Sequence, residues 1–435
     1  MRVLSPACVL EVFMSLTALR PWAGVIVLWI VATVTATAAE SGAALTLSDA
    51  LSRAIEANPD LKAFAFELPA LAGRREQAGL RPNPEIGLEV ENVTGSGEFR
   101  GAKSAEFTLA LSQLIELGGK RGLRVGVVDA AYGLAESDLA VQRLDLAAEV
   151  LRRFVQAAHN QELLALSARR IELAGRTLTT VQDRVNAALA SAAEGHRATA
   201  ARDRALLDRQ TAERRLQSSL HRLAALWGET NPGFATVAAD LYAFPEVSDF
   251  DALMERLGAS PDLARLLTEA RLRDAELRLA EAQRRPDVTV GGGLRRLEAS
   301  DDTALVFSMQ MPLKIHDRNQ GAIREARVRR EQLDVEYDAL LNRARAELFG
   351  LYQELLQARA ETEILRGQVL PELEEALRQT ESAYDLGRYS YLELVDAQRS
   401  LIEVNGELID AAARYHATLA EIERITGQAI ALPAY

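Results

Sequence analysis

Between Glu85 and Asn231 the chain has no proline, and a second proline-free run extends from Leu313 to Leu370. Proline kinks or ends a helix because it lacks the amide proton and its ring meets the preceding turn. Runs of this length permit helices longer than a compact domain uses. From Lys120 to about Ala188 no cluster of turn residues intervenes either. At 1.5 Å per residue, about seventy helical residues extend on the order of 100 Å. Such a rod needs partners along its length.

The apolar pattern supplies them. From Leu341 onward, Ala344, Leu348, Leu351, Leu355 and Ala358 recur at spacings of three and four, and the stripe resumes after Thr362 with Leu365 and Val369. This is a coiled-coil seam. A second stripe, Phe349, Tyr352 and Leu356, borders it, and Leu144, Ala147, Leu151, Phe154 and Ala158 repeat the rhythm earlier. A two-stranded coil needs one seam, whereas a closed ring of helices needs two. A helical bundle buried in its own core is the plainer reading of either stripe alone. Pro371, inside the second pattern, is expected to kink its helix.

The unit occurs twice. Asn58-Pro59-Asp60-Leu61 matches Ser260-Pro261-Asp262-Leu263, the segment around Pro82 and Pro84 matches that around Pro286, and Leu114 to Arg121 lies opposite Pro312 to Asn319. Residues 39–230 form a first repeat and 248–428 a second, with 231–247 as connector and 429–435 as tail. Each opens with a helix, capped in the first copy by Ser48 or Asp49. Past Pro84 the period becomes two: Ile86, Leu88 and Val90 alternate with Glu85, Gly87, Glu89 and Glu91. The same alternation places strands at about 84–93, 104–113, 287–297 and 303–311. It puts Leu109 and Phe307 on an apolar face and Thr108 on the opposite one. Gly291-Gly292-Gly293 has no Lys-Ser/Thr after it, so it reads as a close-packed or bent strand and not a phosphate loop.

Nineteen uncharged residues from Pro21 to Ala39, with Ala36-Thr37-Ala38 at their end, read as a cleaved export signal over 1–38. A retained anchor is the alternative, and Met14 is an alternative start. The sole cysteine, Cys8, falls in that segment, so the mature chain lacks thiol chemistry. The net charge of -12 argues against nucleic acid. His159, His196, His221, His316 and His416 show no metal-ligand spacing, and no nucleophile, base and orienter group together. Neither a bound metal nor a cofactor nor an enzyme activity is expected. After residue 40 no apolar run suffices for a spanning helix, so the chain crosses a bilayer only with strands. Four strands cannot seal a barrel, and open edges are not tolerated in lipid, so chains must combine.

Leu45-Thr46-Leu47-Ser48-Asp49-Ala50-Leu51, Ala57-Asn58-Pro59-Asp60-Leu61, the duplication, and the turn from Tyr384 through Gly387 to Gln398 together resemble the TolC family of outer-membrane efflux proteins. Gln113 to Arg121 and Met311 to Gly321 resemble the junctions of its cobalt, zinc and cadmium branch, the CzcC-like proteins. The fold class expected is mainly α with a small membrane β part. The resemblance implies a homotrimer in a Gram-negative outer membrane, four strands per chain completing a twelve-stranded barrel above a long periplasmic helical barrel. It implies a periplasmic adaptor and an inner-membrane pump of the RND type as partners, outer-membrane lipid around the strands, and divalent heavy-metal cations as cargo. Drug efflux or polypeptide secretion are alternatives, as is a soluble periplasmic coiled-coil scaffold.

By the family's pattern Glu393 and Asp396 match the acidic ring at the constricted periplasmic end. Glu194 takes the matching place in the first copy, aligned through Ser191 with Ser390, and Tyr384 matches a position that holds neighbouring helices closed. Ordinary solvation of a surface helix is the competing account of these acids. Crowding of the carboxylates is expected to raise some of their pKa values. The first copy reads Ala187-Ala188-Leu189 where the second has Leu386-Gly387-Arg388, so the resemblance does not fix its turn geometry. Pro84, Pro286 and Pro312 mark the barrel-to-helix junctions, and Asp317 is expected to cap the helix that follows the last of these.

Overall fold

The computed structural model describes residues 44–427. The export signal, Cys8 and the tail after residue 428 lie outside the described residues. Three short helices come first: α1 (Leu47–Ala57), α2 (Pro59–Ala65) and α3 (Glu67–Gly79). Thr46, not Ser48 or Asp49, caps α1, its hydroxyl accepting from the Asp49 amide at 3.1 Å. Helix formation begins two residues earlier than a Ser48 cap would place it, because buried Leu47 anchors the first turn.

Strands β1 (Glu85–Glu91) and β2 (Glu106–Ile115) follow, then α4 (Lys120–Asn186) and α5 (Ala192–Ala224). The second repeat runs α6 (Phe250–Leu257), α7 (Pro261–Ala282), β3 (Val288–Leu297), β4 (Asp302–Gln310), α8 (Gln320–Ile364), α9 (Leu370–Asp385) and α10 (Tyr391–Thr426). Helix α4 alone has 67 residues. Between α8 and α9 the chain makes a π-helical turn, Leu365–Val369, immediately before Pro371. Proline cannot donate to the carbonyl four residues back, and the wider turn absorbs the missing bond.

The strands form one antiparallel sheet in the order β1-β2-β3-β4. Its register stacks Leu88, Leu109, Leu294 and Leu305 across one face. On that face Ile86, Leu109 and Phe307 are 77%, 56% and 82% exposed. The opposite face is polar: Arg295 bonds Thr108 at 2.9 Å and pairs with Glu91 and Glu106. A Cβ on Gly293 would stand 2.5 Å from the Leu109 carbonyl oxygen, so the strands approach as closely as only glycine permits. Both outer strands, β1 and β4, have an unpaired edge. Among the described residues no helix is long and apolar enough to cross a membrane.

Three cores hold the helices. One joins α1, the middle of α4 and the end of α5 to the connector through Phe154, Trp227, Phe234 and Leu241. There Leu45 is stitched to the connector by its amide on the Thr236 carbonyl and by the Ala238 amide on its own carbonyl. A second core lies around the α4–α5 and α9–α10 turns. The third packs α6 and α10 on Leu348, Leu355 and Ala358 of α8, the predicted seam. The second stripe is partly met within the chain, since Phe250 lies against Phe349 and Tyr352 at ring distances of 5.6 and 5.4 Å. Phe349 and Leu356 still remain 54% and 45% exposed.

Pro84 precedes β1, Pro286 precedes β3 and Pro312 follows β4, so the three prolines stand where sheet gives way to helix. Gly118 and Gly119 turn the chain with φ of 79° and 72°, and Lys120 then donates to Asp287 at 2.8 Å and to the Arg285 carbonyl at 2.7 Å. In the second copy the residue before the helix is Asn319, at φ 59°. Asp317 does not cap α8; its carboxylate accepts the Asn319 amide at 2.9 Å, forming a turn upstream of the helix. Asn319 spends its own amide group on the Ala280 carbonyl, at 2.7 Å, docking the junction on α7.

Candidate functional site

The two helix-reversing turns lie side by side. Helices α4 and α5 meet through residues 187–191, α9 and α10 through residues 386–390. Each reversal needs one residue in the left-handed region so that the last carbonyls of the incoming helix are satisfied. Gly387 does this at φ 72°, as expected of glycine; in the first copy Ala188 does it at φ 58°. The hydrogen bonds correspond one for one. Ala188 donates to Val185 at 3.0 Å and Leu189 to Arg184 at 2.7 Å, as Gly387 does to Tyr384 at 2.9 Å and Arg388 to Ala383 at 2.8 Å. The two turns therefore share one geometry even without the glycine, because the bonding of the helix end outweighs the strain on one alanine.

Both outgoing helices start at a serine cap. Ser191 accepts the Glu194 amide at 3.3 Å, and Ser390 accepts the Glu393 amide at 3.4 Å. Glu393 returns the bond, taking the Ser390 amide at 2.6 Å, which completes a capping box. Glu194 instead meets the Ser191 hydroxyl, at 3.3 Å. Within the single chain, backbone and hydroxyl bonds from Ser390 hold the Glu393 carboxyl below its ordinary range. Asp396 is exposed and ion-paired with Arg399 of its own helix. One turn thus carries two acids, while the first copy carries Glu194 and, opposite Asp396, Arg197.

Tyr384 is 2% exposed. Its ring lies 4.7 Å beneath the guanidinium of Arg184, which donates to the Tyr384 carbonyl at 2.6 Å. Burial pushes the phenol up, against the opposing pull of Arg184. The structure therefore brings Tyr384, Glu393, Asp396 and Glu194 to one end of the helices, and adds Arg184, which sequence reasoning missed. Its only signal was a basic side chain in the last turn of α4, where carbonyls gather. Gln398 adds a second tie, to Thr177 at 2.8 Å.

Among the described residues no group of three or more His, Cys, Asp or Glu is arranged to hold a metal ion. His159 meets Asp410 at 2.6 Å, and buried His416 faces the Leu241 carbonyl at 3.1 Å. Burial holds the latter imidazole below its ordinary value, so it is a packing element between α10 and the connector.

Comparison with known proteins agrees with the architecture. The chain is 30% identical over 389 residues to the cobalt-zinc-cadmium resistance protein CzcC of Cupriavidus metallidurans, covering 89% of this chain and 91% of that one. A membrane protein of Pseudomonas aeruginosa superposes with a TM-score of 0.73 at 19% identity, covering 88% and 90% of the two chains. The channel protein CusC superposes with a TM-score of 0.72 at 17% identity, covering 88% and 92%. The family model for outer membrane efflux proteins matches residues 50–229 and 253–428, one block in each repeat. The chain belongs to the outer membrane efflux protein family.

Proposed function

We propose that three copies close into one twelve-stranded barrel over a helical tunnel, a passive exit duct for divalent heavy-metal cations. A periplasmic adaptor and an inner-membrane pump of the RND type supply the cargo and the energy. The sheet supports the duct most directly: it is apolar on one face, polar on the other, and unpaired at both edges. In lipid each unsatisfied edge is costly, and pairing β4 of one copy with β1 of the next removes both. The exposed second stripe on α8 gives neighbouring helices a surface to pack on. Support for the cargo comes from the relative named for cobalt, zinc and cadmium resistance. At the closed end Glu393, Asp396, Glu194 and Tyr384 form the gate, the acids drawing cations toward a narrow opening.

Mass measurement of the detergent-purified protein tests the assembly, with a trimer expected; a stable monomer would refute it. Deleting the gene is expected to raise sensitivity to zinc, cobalt or cadmium more than to dyes and detergents. The reverse order would favour organic drugs as cargo.

A further inference from the structure

The sheet's apolar face does not stop at the end of β4. Beyond Leu305, Phe307 and Met309, the exposed row continues through Met311, Leu313 and Ile315, the last two 72% and 59% exposed. β4 itself, Asp302–Gln310, has nine residues, the length a tilted strand needs to cross a hydrocarbon layer, and Met311, Leu313 and Ile315 follow its end. The end of the row therefore lies at the membrane interface, on the side where the helices begin.

There a cleft of about 580 Å³ opens between the end of α7 and the start of α8, with Ile315 and Ile323 as its apolar wall. Arg284, Arg318, Arg324 and Arg327 line the rest together with His316 and Gln320, the four arginines all exposed. Arg324 and Arg327 stand three apart on one face of α8. Arg318 is positioned by its Nε bond to the Ile315 carbonyl, 3.2 Å, which leaves its two terminal nitrogens directed elsewhere. Among the described residues none of the four has a carboxylate within ion-pair distance. Just beyond them on the same helix the pattern is the reverse: Arg329 pairs with Glu325, and Arg330 with Asp274 and Asp334 at 3.0 and 2.7 Å. Four like charges around one cleft repel one another, and in a chain of net charge -12 a carboxylate partner was readily available.

An anion that brings its own apolar body resolves both features. We propose that this cleft binds the phosphate of a phospholipid headgroup in the periplasmic leaflet, the guanidinium forks holding the oxygens while the acyl chains lie along Leu313 and Met311. Arginine suits this role because its planar fork matches phosphate geometry. The inference uses the family's placement of the strands in the outer membrane and is independent of the cargo.

The test uses the full chain purified in a neutral detergent, with binding of phosphatidylglycerol read by native mass spectrometry. Phosphatidylglycerol is expected to be retained and to raise the unfolding temperature, while diacylglycerol and inorganic phosphate at equal concentration do neither. Arg318→Gln with Arg324→Gln and Arg327→Gln should weaken lipid binding at least tenfold; Arg329→Gln, whose charge is already paired, should leave it unchanged. Arg324→Gln alone, expected to weaken binding several-fold, serves if the triple variant does not insert. Equal binding by wild type and the variants overturns the proposal. So does equal binding of inorganic phosphate, which would make this a site for free anions. Loss of the oligomer with lipid binding intact overturns it too, since the cleft would then be covered by a second copy. Conductance unchanged in a variant that has lost lipid supports the site without touching the channel reading.

Discussion

The two helix-reversing turns share a backbone but not their side chains, and the contrast separates what the fold demands from what a site adds. Ala188 and Gly387 hold the same left-handed conformation under matching hydrogen bonds. Where the first turn has Arg184 and Val185, the second has Ala383 and Tyr384. The bond between them runs one way, from Arg184 to the carbonyl and ring of Tyr384. The two copies thus share one reversal, and their differing side chains make one the clasp and the other the part clasped.

If that clasp holds the turns together, Arg184→Ala should have the largest effect. It removes a charged hydrogen bond and a cation–π contact, about 2 kcal/mol together, and it uncovers the buried ring of Tyr384. Proteolysis of the helix ends should accelerate in both turns at once. Cleavage confined to the α4–α5 turn would show that the clasp carries no coupling.

The backbone comparison predicts opposite signs. Gly387→Ala forces a side chain into the left-handed region and should cost roughly 1 kcal/mol. Ala188→Gly relieves the same strain, but the added freedom of the unfolded chain returns part of it, leaving a gain of about 0.5 kcal/mol. Thermal unfolding of the two variants checks both. Equal signs would mean that the strain at Ala188 is offset by contacts not shared with Gly387.

These turns also mark the limit of what the residues alone convey. The strands were legible because alternation fixes which face is buried and a one-residue slip would invert it. The long helices were legible because proline is missing from them. The first turn was not, since nothing local tells that Ala188 will adopt a conformation glycine prefers. Nor was Arg184, whose partner lies 200 positions away. At the α8 start Asp317 was the expected cap, but Asn319 stands in that position, docked on α7 by a contact no local pattern encodes. The acids were located by a motif, but the motif is silent on Glu393 being bound to its own cap.

That last point gives the smallest effect and the finest comparison. Glu393 accepts the Ser390 amide, whereas Glu194 meets only the Ser191 hydroxyl. Because its carboxyl is held below the ordinary value near 4.5, the cap's contribution is complete above that value and is lost as pH falls through the lowered one. Amide exchange over residues 386–394, corrected for its intrinsic pH dependence, should therefore lose protection as the medium is acidified below about 4.5. Glu393→Gln should start with weaker protection and show a flatter pH response, because an uncharged amide is a poorer acceptor and does not titrate. Glu194→Gln should leave exchange at Ser191 unchanged. Identical behaviour of the two variants would mean that the capping box does not distinguish the turns. In that case Glu393 would be as available to a passing cation as Glu194, and the proposed gate would be more nearly symmetric than these side chains now make it.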